Sequence, residues 1–190
     1  MSNLFQKLEL EAFRKGITPR TQESREWFRK RVQLLTRVNR ESLMREEGVN
    51  KVSSPLLGSM MMFFYDPKLK DKLPYYDTFP LVLPIKRYSD GFLGINFHYL
   101  PYALRARLLE QVMKIGGRGS KEDMQIIAGW SKLDRVRLIK PTVKRYLNNH
   151  VRSRFRRIDS EDFVTAIMLP IQRFKKGSAS TIWADSRKMI

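Results

Sequence analysis

Residues 79–99, FPLVLPIKRYSDGFLGINFHY, decide how this chain folds. Two apolar runs flank Asp90–Gly91, and an Asp-Gly pair in that setting is a strong short-range signal for a β-hairpin. Gly91 is expected to supply the positive φ that such a turn demands. Pro80 and Pro84 lack a backbone N–H, so the first run belongs at a sheet edge or a bulge. Upstream, MMFFYDP at 61–67 is a short apolar strand that ends in a turn at Asp66–Pro67. The charged loop PKLKDKLP follows at 67–74. Six of the nine prolines lie between 53 and 102, which favours short strands over long helices there. The expectation is an antiparallel sheet of three or four strands centred on residues 60–100, curled toward a partial barrel.

The flanks have a helical period. Leu4, Phe5, Leu8, Ala12 and Phe13 form one stripe, with Gly16 suited to the C-terminal end. A second, longer helix is expected from Thr18–Pro19 to Gly48, with Trp27, Phe28, Leu34, Leu35, Val38 and Met44 on its apolar side. Pro101 opens a helix that Gly116 closes, and Leu104, Leu108, Val112 and Ile115 make its buried stripe. A helix capped by Ser120 is expected over 119–130. Another spans 140–157, bearing Val143, Tyr146, Leu147, Val151 and Phe155 on one side. A third runs over 159–170, and Pro170 stops it. The tail from 171 is polar, with Phe174 and Trp183 as anchors. The fold class predicted is α+β. It comprises an N-terminal helical arm (1–50), a small antiparallel β-sheet or partial barrel (51–102) and a basic helical region with a C-terminal tail (103–190).

Composition narrows the chemistry. The chain has 190 residues, of which 42% are hydrophobic and 11% aromatic, enough for a sizeable core and unlike a disordered chain. It has no Cys, which rules out a disulfide scaffold, a thiol nucleophile and Cys-based metal sites. Its only two His, at 98 and 150, have no partner at metal-ligand spacing. His98 is expected to be a packed or hydrogen-bonded strand residue. GGRGSK at 116–121 lacks the Gly-Lys-Ser/Thr ending of a phosphate loop, so it is expected to end one helix and begin the next. Glu122–Asp123 and Glu161–Asp162 sit at expected helix starts, where capping explains them. No catalytic residue, metal site or cofactor is therefore assigned, and no enzyme is expected. No apolar run approaches the ~20 residues of a membrane span.

The net charge of +18 is a statement about partners. Residues 105–158 hold 15 basic and 4 acidic residues, so +11 of the excess lies in that stretch. Lys132, Arg135, Arg137, Lys140, Lys144, Arg145, Arg152, Arg154, Arg156 and Arg157 are the candidate polyanion-binding residues, interrupted only by Asp134. On a helix, Lys144, Arg145, Arg152 and Arg156 would face away from the apolar stripe. Such a row of cations binds phosphates without reading bases, or binds carboxylates of a neighbour. A merely solvated face is the plainer reading. Tyr75, Tyr76, Tyr99 and Tyr102 are candidate interface aromatics, open to base stacking, to core packing or to anchoring a protein partner.

Several strings carry a family resemblance: RKGITPRTQESREWF (14–28), FFYDPKLKDKLPYYDTFPLVLPI (63–85), GFLGINFHYLP (91–101), LPIQRFKK (169–176) and WADSR (183–187). Together they resemble a virion-associated protein family of large contractile-tailed bacteriophages. The resemblance implies a setting and no catalytic residue. The expectation is a non-enzymatic structural component of the virion, in baseplate, neck or head, made in the host cytoplasm. Its partners would be other phage structural proteins and, through the basic surface, double-stranded DNA or an acidic neighbouring subunit. The alternative is a soluble DNA-binding accessory protein of packaging or replication. An enzyme acting on nucleic acid ranks third.

Overall fold

The apolar middle of the chain gathers into one antiparallel sheet in the computed structural model, which describes residues 10–17, 40–45, 50–118, 125–126 and 129–190, with positions 23, 26, 27 and 30. In chain order the elements are α1 (Arg40–Arg45), β1 (Lys51–Val52), β2 (Met61–Met62), β3 (Tyr76–Asp77), β4 (Leu81–Tyr88), β5 (Gly91–Asn96), α2 (Tyr102–Gly116), β6 (Gly117–Arg118), β7 (Gln125–Ile126), α3 (Trp130–Leu133), β8 (Val143–Leu147), β9 (Phe155–Arg157), α4 (Phe163–Met168), β10 (Phe174–Lys175) and α5 (Ala179–Lys188). The main sheet has six strands in the order β1-β9-β2-β4-β5-β8. The fold class is α+β, as the sequence indicates.

Side chains alternate across a strand, and the two faces of this sheet have different partners. Met60, Met62, Leu81, Leu83 and Ile95 join Leu108, Leu109 and Val112 of α2 and Phe163, Ala166 and Ile167 of α4 in the larger core. Met61, Phe63, Tyr65, Val82, Phe92, Tyr146 and Phe155 form a second, aromatic core. Phe63 is its centre, edge-on to Phe155 at 4.9 Å and to Tyr146 at 5.4 Å between ring centroids. The sheet curls round this cluster. After β8 the chain crosses beside the continuation of β2: Val151 bridges Tyr65, and the Arg152 N–H donates to the Phe64 carbonyl at 2.8 Å. A partial barrel results.

Several expectations are corrected. Residues 140–157 are not a helix; they supply β8, a 3-10 turn at Asn148–His150, and β9. The spacing of Val143, Tyr146, Leu147, Val151 and Phe155 imitates a helical stripe. In the fold Tyr146 and Phe155 fill the barrel, while Val143 packs on the larger core. Gln125–Ile126, expected in a helix, pair instead with Gly117–Arg118. Ser120, Glu122 and Asp123 lie outside the described residues, as do residues 4–9 of the first expected helix and most of the second. The tail ends in α5, where the Ser178 hydroxyl accepts from the Thr181 N–H at 3.1 Å as an N-cap.

The hairpin is present, with a different role for its glycine. Tyr88 pairs with Gly91, so Ser89–Asp90 make the turn and Gly91 is the first residue of β5. Its φ is not positive; among the described glycines only Gly16 and Gly58 have that conformation. What excludes a side chain at 91 is proximity, since a Cβ there would lie 1.9 Å from the Tyr146 carbonyl oxygen. Gly91→Val is therefore expected to destabilise the fold by about 3 kcal/mol, at the upper end of overpacking costs. Gly91→Ala is expected to cost nearly as much, because the clash begins at Cβ. A denaturation midpoint unchanged in Gly91→Ala would refute the account. The register shift in β4 falls between Pro84 and Lys86, where Pro84 cannot donate to the ladder.

Candidate nucleic-acid interface

The strands place five of the singled-out residues around one cleft. Tyr75 and Tyr76, Tyr99, and Lys144 with Arg145 of β8 are up to 70 positions apart in sequence. In the fold they line a cleft of about 480 Å³. The rest of the wall comes from Tyr65, Asp77, Tyr146, Leu147 and the loop 67–74. Leu69 and Leu73 of that loop are exposed at the rim. Tyr75 and Tyr99 lie 6.1 Å apart between centroids, and Phe174 meets Tyr99 edge-on at 5.4 Å.

Lys144 gives the cleft its charge. Its ammonium stands 4.1 Å from the centre of the Tyr99 ring. Among the described residues no carboxylate lies within ion-pair distance of it. Burial alone lowers its pKa, to about 8. A desolvated ammonium held by only a ring face is short of hydrogen-bond acceptors, and an anion would supply them. Arg145 differs: it pairs with Asp90, covers the Tyr88 ring at 4.1 Å, and donates to the Tyr146 carbonyl.

The loop that forms one wall is held from behind. Lys176, at φ 62, donates from Nζ to the carbonyls of Lys70 at 2.7 Å, Asp71 at 2.9 Å and Leu73 at 3.3 Å. Lys70 pairs with Asp66 at 3.1 Å, and Arg152 approaches the same carboxylate at 3.8 Å. Arg152 thus lies beside the base of the loop.

The other predicted cations divide by exposure. Lys132, Arg135, Arg137, Lys140, Arg152 and Arg154 are exposed. Arg157 is half-buried, 3.5 Å from Asp159. Arg156 corrects the expectation of an outward face. It is 3% exposed, and its guanidinium donates to the Leu43 carbonyl in α1. Tyr102 is also outside the cleft, against Trp183 and the Arg105 guanidinium.

The sequence model of one protein family, described as the phage T4 terminal DNA protecting protein, matches residues 3–186. The chain belongs to this family. No curated protein and no solved structure matches it. Membership in the terminal DNA protecting protein family supports the resemblance to contractile-tailed phage proteins at the level of a phage T4-related family.

In this member of the terminal DNA protecting protein family, the cleft is backed by a buried polar network. Asp77 Oδ2 is 2.7 Å from His98 Nδ1, and Asp77 Oδ1 accepts from the N–H groups of Phe79 and Arg173 at 3.0 and 3.1 Å. The Asn96 amide donates to Asp77 and to the Tyr146 hydroxyl. Burial pushes the Asp77 carboxyl up, but His98 and the two N–H groups outweigh it and hold it below the usual range. Burial keeps His98 below its ordinary value, with Arg105 and Arg40 adding to the effect against the opposing pull of Asp77. The pair is a carboxylate accepting from a neutral imidazole, whose Nε2 is buried with no hydrogen-bond partner among the described residues. His98 has no exposed surface, so this dyad positions structure and does not face substrate. Among the described residues no group of three or more His, Asp or Glu side chains could hold a metal ion, and no helix is long and apolar enough to cross a membrane.

Sequence reasoning named Lys144 and the tyrosines without joining them, and missed Lys68, Leu69 and Leu73. One signal was available: Lys-Arg-Tyr occurs at 86–88 and again at 144–146. The first copy ends a recognisable strand, and the second is in the strand that was read as helix.

Proposed function

We propose that this protein binds the ends of phage DNA and shields them, acting without catalysis. The observation that carries the reading is the cleft, where tyrosine side chains suited to a base share the wall with an ammonium that has no carboxylate in reach among the described residues. The family's description as terminal DNA protecting supports the choice of DNA ends over an acidic protein neighbour. The exposed Arg135, Arg137, Lys140, Arg152 and Arg154 supply backbone attraction that does not depend on sequence. The proposal extends to setting: the protein is made in the host cytoplasm, travels in the virion, and lies there beside DNA and other structural proteins.

Linear duplex is expected to bind more tightly than closed circular DNA of the same sequence, and bound ends are expected to resist an exonuclease. The DNA should remain uncut with magnesium or manganese present. Changing Arg135, Arg137, Lys140, Arg152 and Arg154 together to Gln should preserve folding, since all are exposed. It should flatten the dependence of log K on log salt by about 0.9 for each phosphate no longer neutralised. Equal competition by circular and linear DNA would overturn the end-binding reading. Turnover that vanishes in a single acidic-residue variant would overturn the non-enzymatic one.

A further inference from the structure

We propose that the cleft is a pocket for the unpaired terminal nucleotide of a DNA strand, its base against Tyr75 and Tyr76 under the rim of Leu69 and Leu73, and its phosphate on the Lys144 ammonium. This rests on the end-binding reading and gives it a seat. At about 480 Å³ the cleft is within the range of small-ligand pockets, ~300–1,000 Å³. A space of that size takes a single nucleotide and excludes a duplex. Its walls are mainly aromatic and aliphatic, which suits a base face more than a track of phosphates. Of its three lining cations, Lys68 and Arg145 are exposed and Lys144 is half-buried. Lys144 has the Tyr99 ring on one side and no carboxylate in reach among the described residues, so one phosphate would complete its surroundings. Asp77 also lines the cleft. Its carboxylate oxygens are engaged by Phe79, Arg173, Asn96 and His98 on the inner side. Arg145 is committed to Asp90 and Tyr88, and Lys68 is exposed on the loop 67–74, which leaves Lys144 as the half-buried cation of the cleft.

The test uses the full chain and linear duplexes carrying one unpaired terminal 2-aminopurine. Binding is expected to change the fluorescence of this terminal analogue at least twofold, and to leave the same analogue unchanged at an interior paired position. Lys144→Met should weaken binding of the overhang about tenfold. It should melt at or above the wild-type temperature, because a desolvated charge has been removed. Tyr75→Leu should abolish the fluorescence change. The proposal fails if fluorescence and Lys144→Met affinity stay at wild-type values while linear DNA is still preferred over circular; end binding then stands with another seat. It also fails if deoxyadenosine monophosphate binds with the same dependence on Lys144 but the overhang does not, because the pocket would then serve a free nucleotide. Loss of any preference for ends overturns this proposal and the reading beneath it together.

Discussion

Arg105→Ala is expected to lower the unfolding free energy by about 4 kcal/mol or more, a large part of the 5–15 kcal/mol of an ordinary domain. Arg105 has no exposed surface and lies on the buried stripe of α2. Its guanidinium donates to the carbonyls of Leu100 at 2.7 Å and Ile167 at 3.0 Å, with longer contacts to the His98 carbonyl and the Gln172 amide oxygen. The Tyr102 and Trp183 rings flank it at 4.5 and 5.6 Å. Burial lowers its pKa to about 10, with Tyr102 and Asp77 opposing, so it remains charged at pH 7. One group therefore joins the start of α2, the end of α4, and the segment entering β10. Truncation removes these bonds, empties the slot between two rings and leaves buried carbonyls unmet. Lys in its place offers one ammonium in place of a planar fork and should recover less than half of the loss. Urea denaturation of the two variants decides the matter; a loss below ~1 kcal/mol for Arg105→Ala would refute the role given to it.

The second large effect concerns Asp77. A buried donor left without its acceptor costs about 1–3 kcal/mol, and Asp77→Ala strips the acceptor from His98, Asn96 and the N–H groups of Phe79 and Arg173, so it is expected to cost about 3 kcal/mol or more. Acid should act on the same network in two stages. The unfolded chain protonates His98 as pH falls through its ordinary value of 6.5, while the folded chain, with its lowered pKa, does not. Unfolded protein then binds more protons, so stability declines below about pH 6.5. Asp77 adds the second stage. Its folded pKa is below 3.8, so its contribution is complete above that value and is lost as pH falls through the folded one. Urea midpoints at pH 7.5 and pH 5 should differ in the wild type, and the difference should shrink in His98→Gln. An undiminished difference in that variant would place the acid sensitivity elsewhere.

The elements with local signals were legible in the sequence. The hairpin at 81–96 showed in its Asp-Gly pair and flanking apolar runs, and α2 in Pro101, Gly116 and the stripe between them. Residues 143–157 misled because helix and strand periods overlap over short apolar sets. Val143, Tyr146 and Leu147 satisfy a helical spacing, yet pairing with β5 decides their state. Arg105 was hidden for a related reason, since an arginine on an apolar stripe reads as a solvated neighbour until its carbonyl partners are placed. The cleft residues were recognised by chemical type. Their meeting depends on β8 lying beside β5 and on the loop 67–74 lining the same cleft as Tyr75, and neither leaves a local mark.

The hold of Lys176 on the loop 67–74 determines when the entropy of ordering that wall is lost. A non-glycine residue at φ 62 carries local strain, and here its ammonium reaches three carbonyls of the loop. The wall is then assembled as the protein folds and not when a ligand arrives. Pre-organisation of this kind removes ordering from the free energy of association. Capture of a strand end would be limited by how often the end frays and diffuses in, rather than by closure of the protein around it.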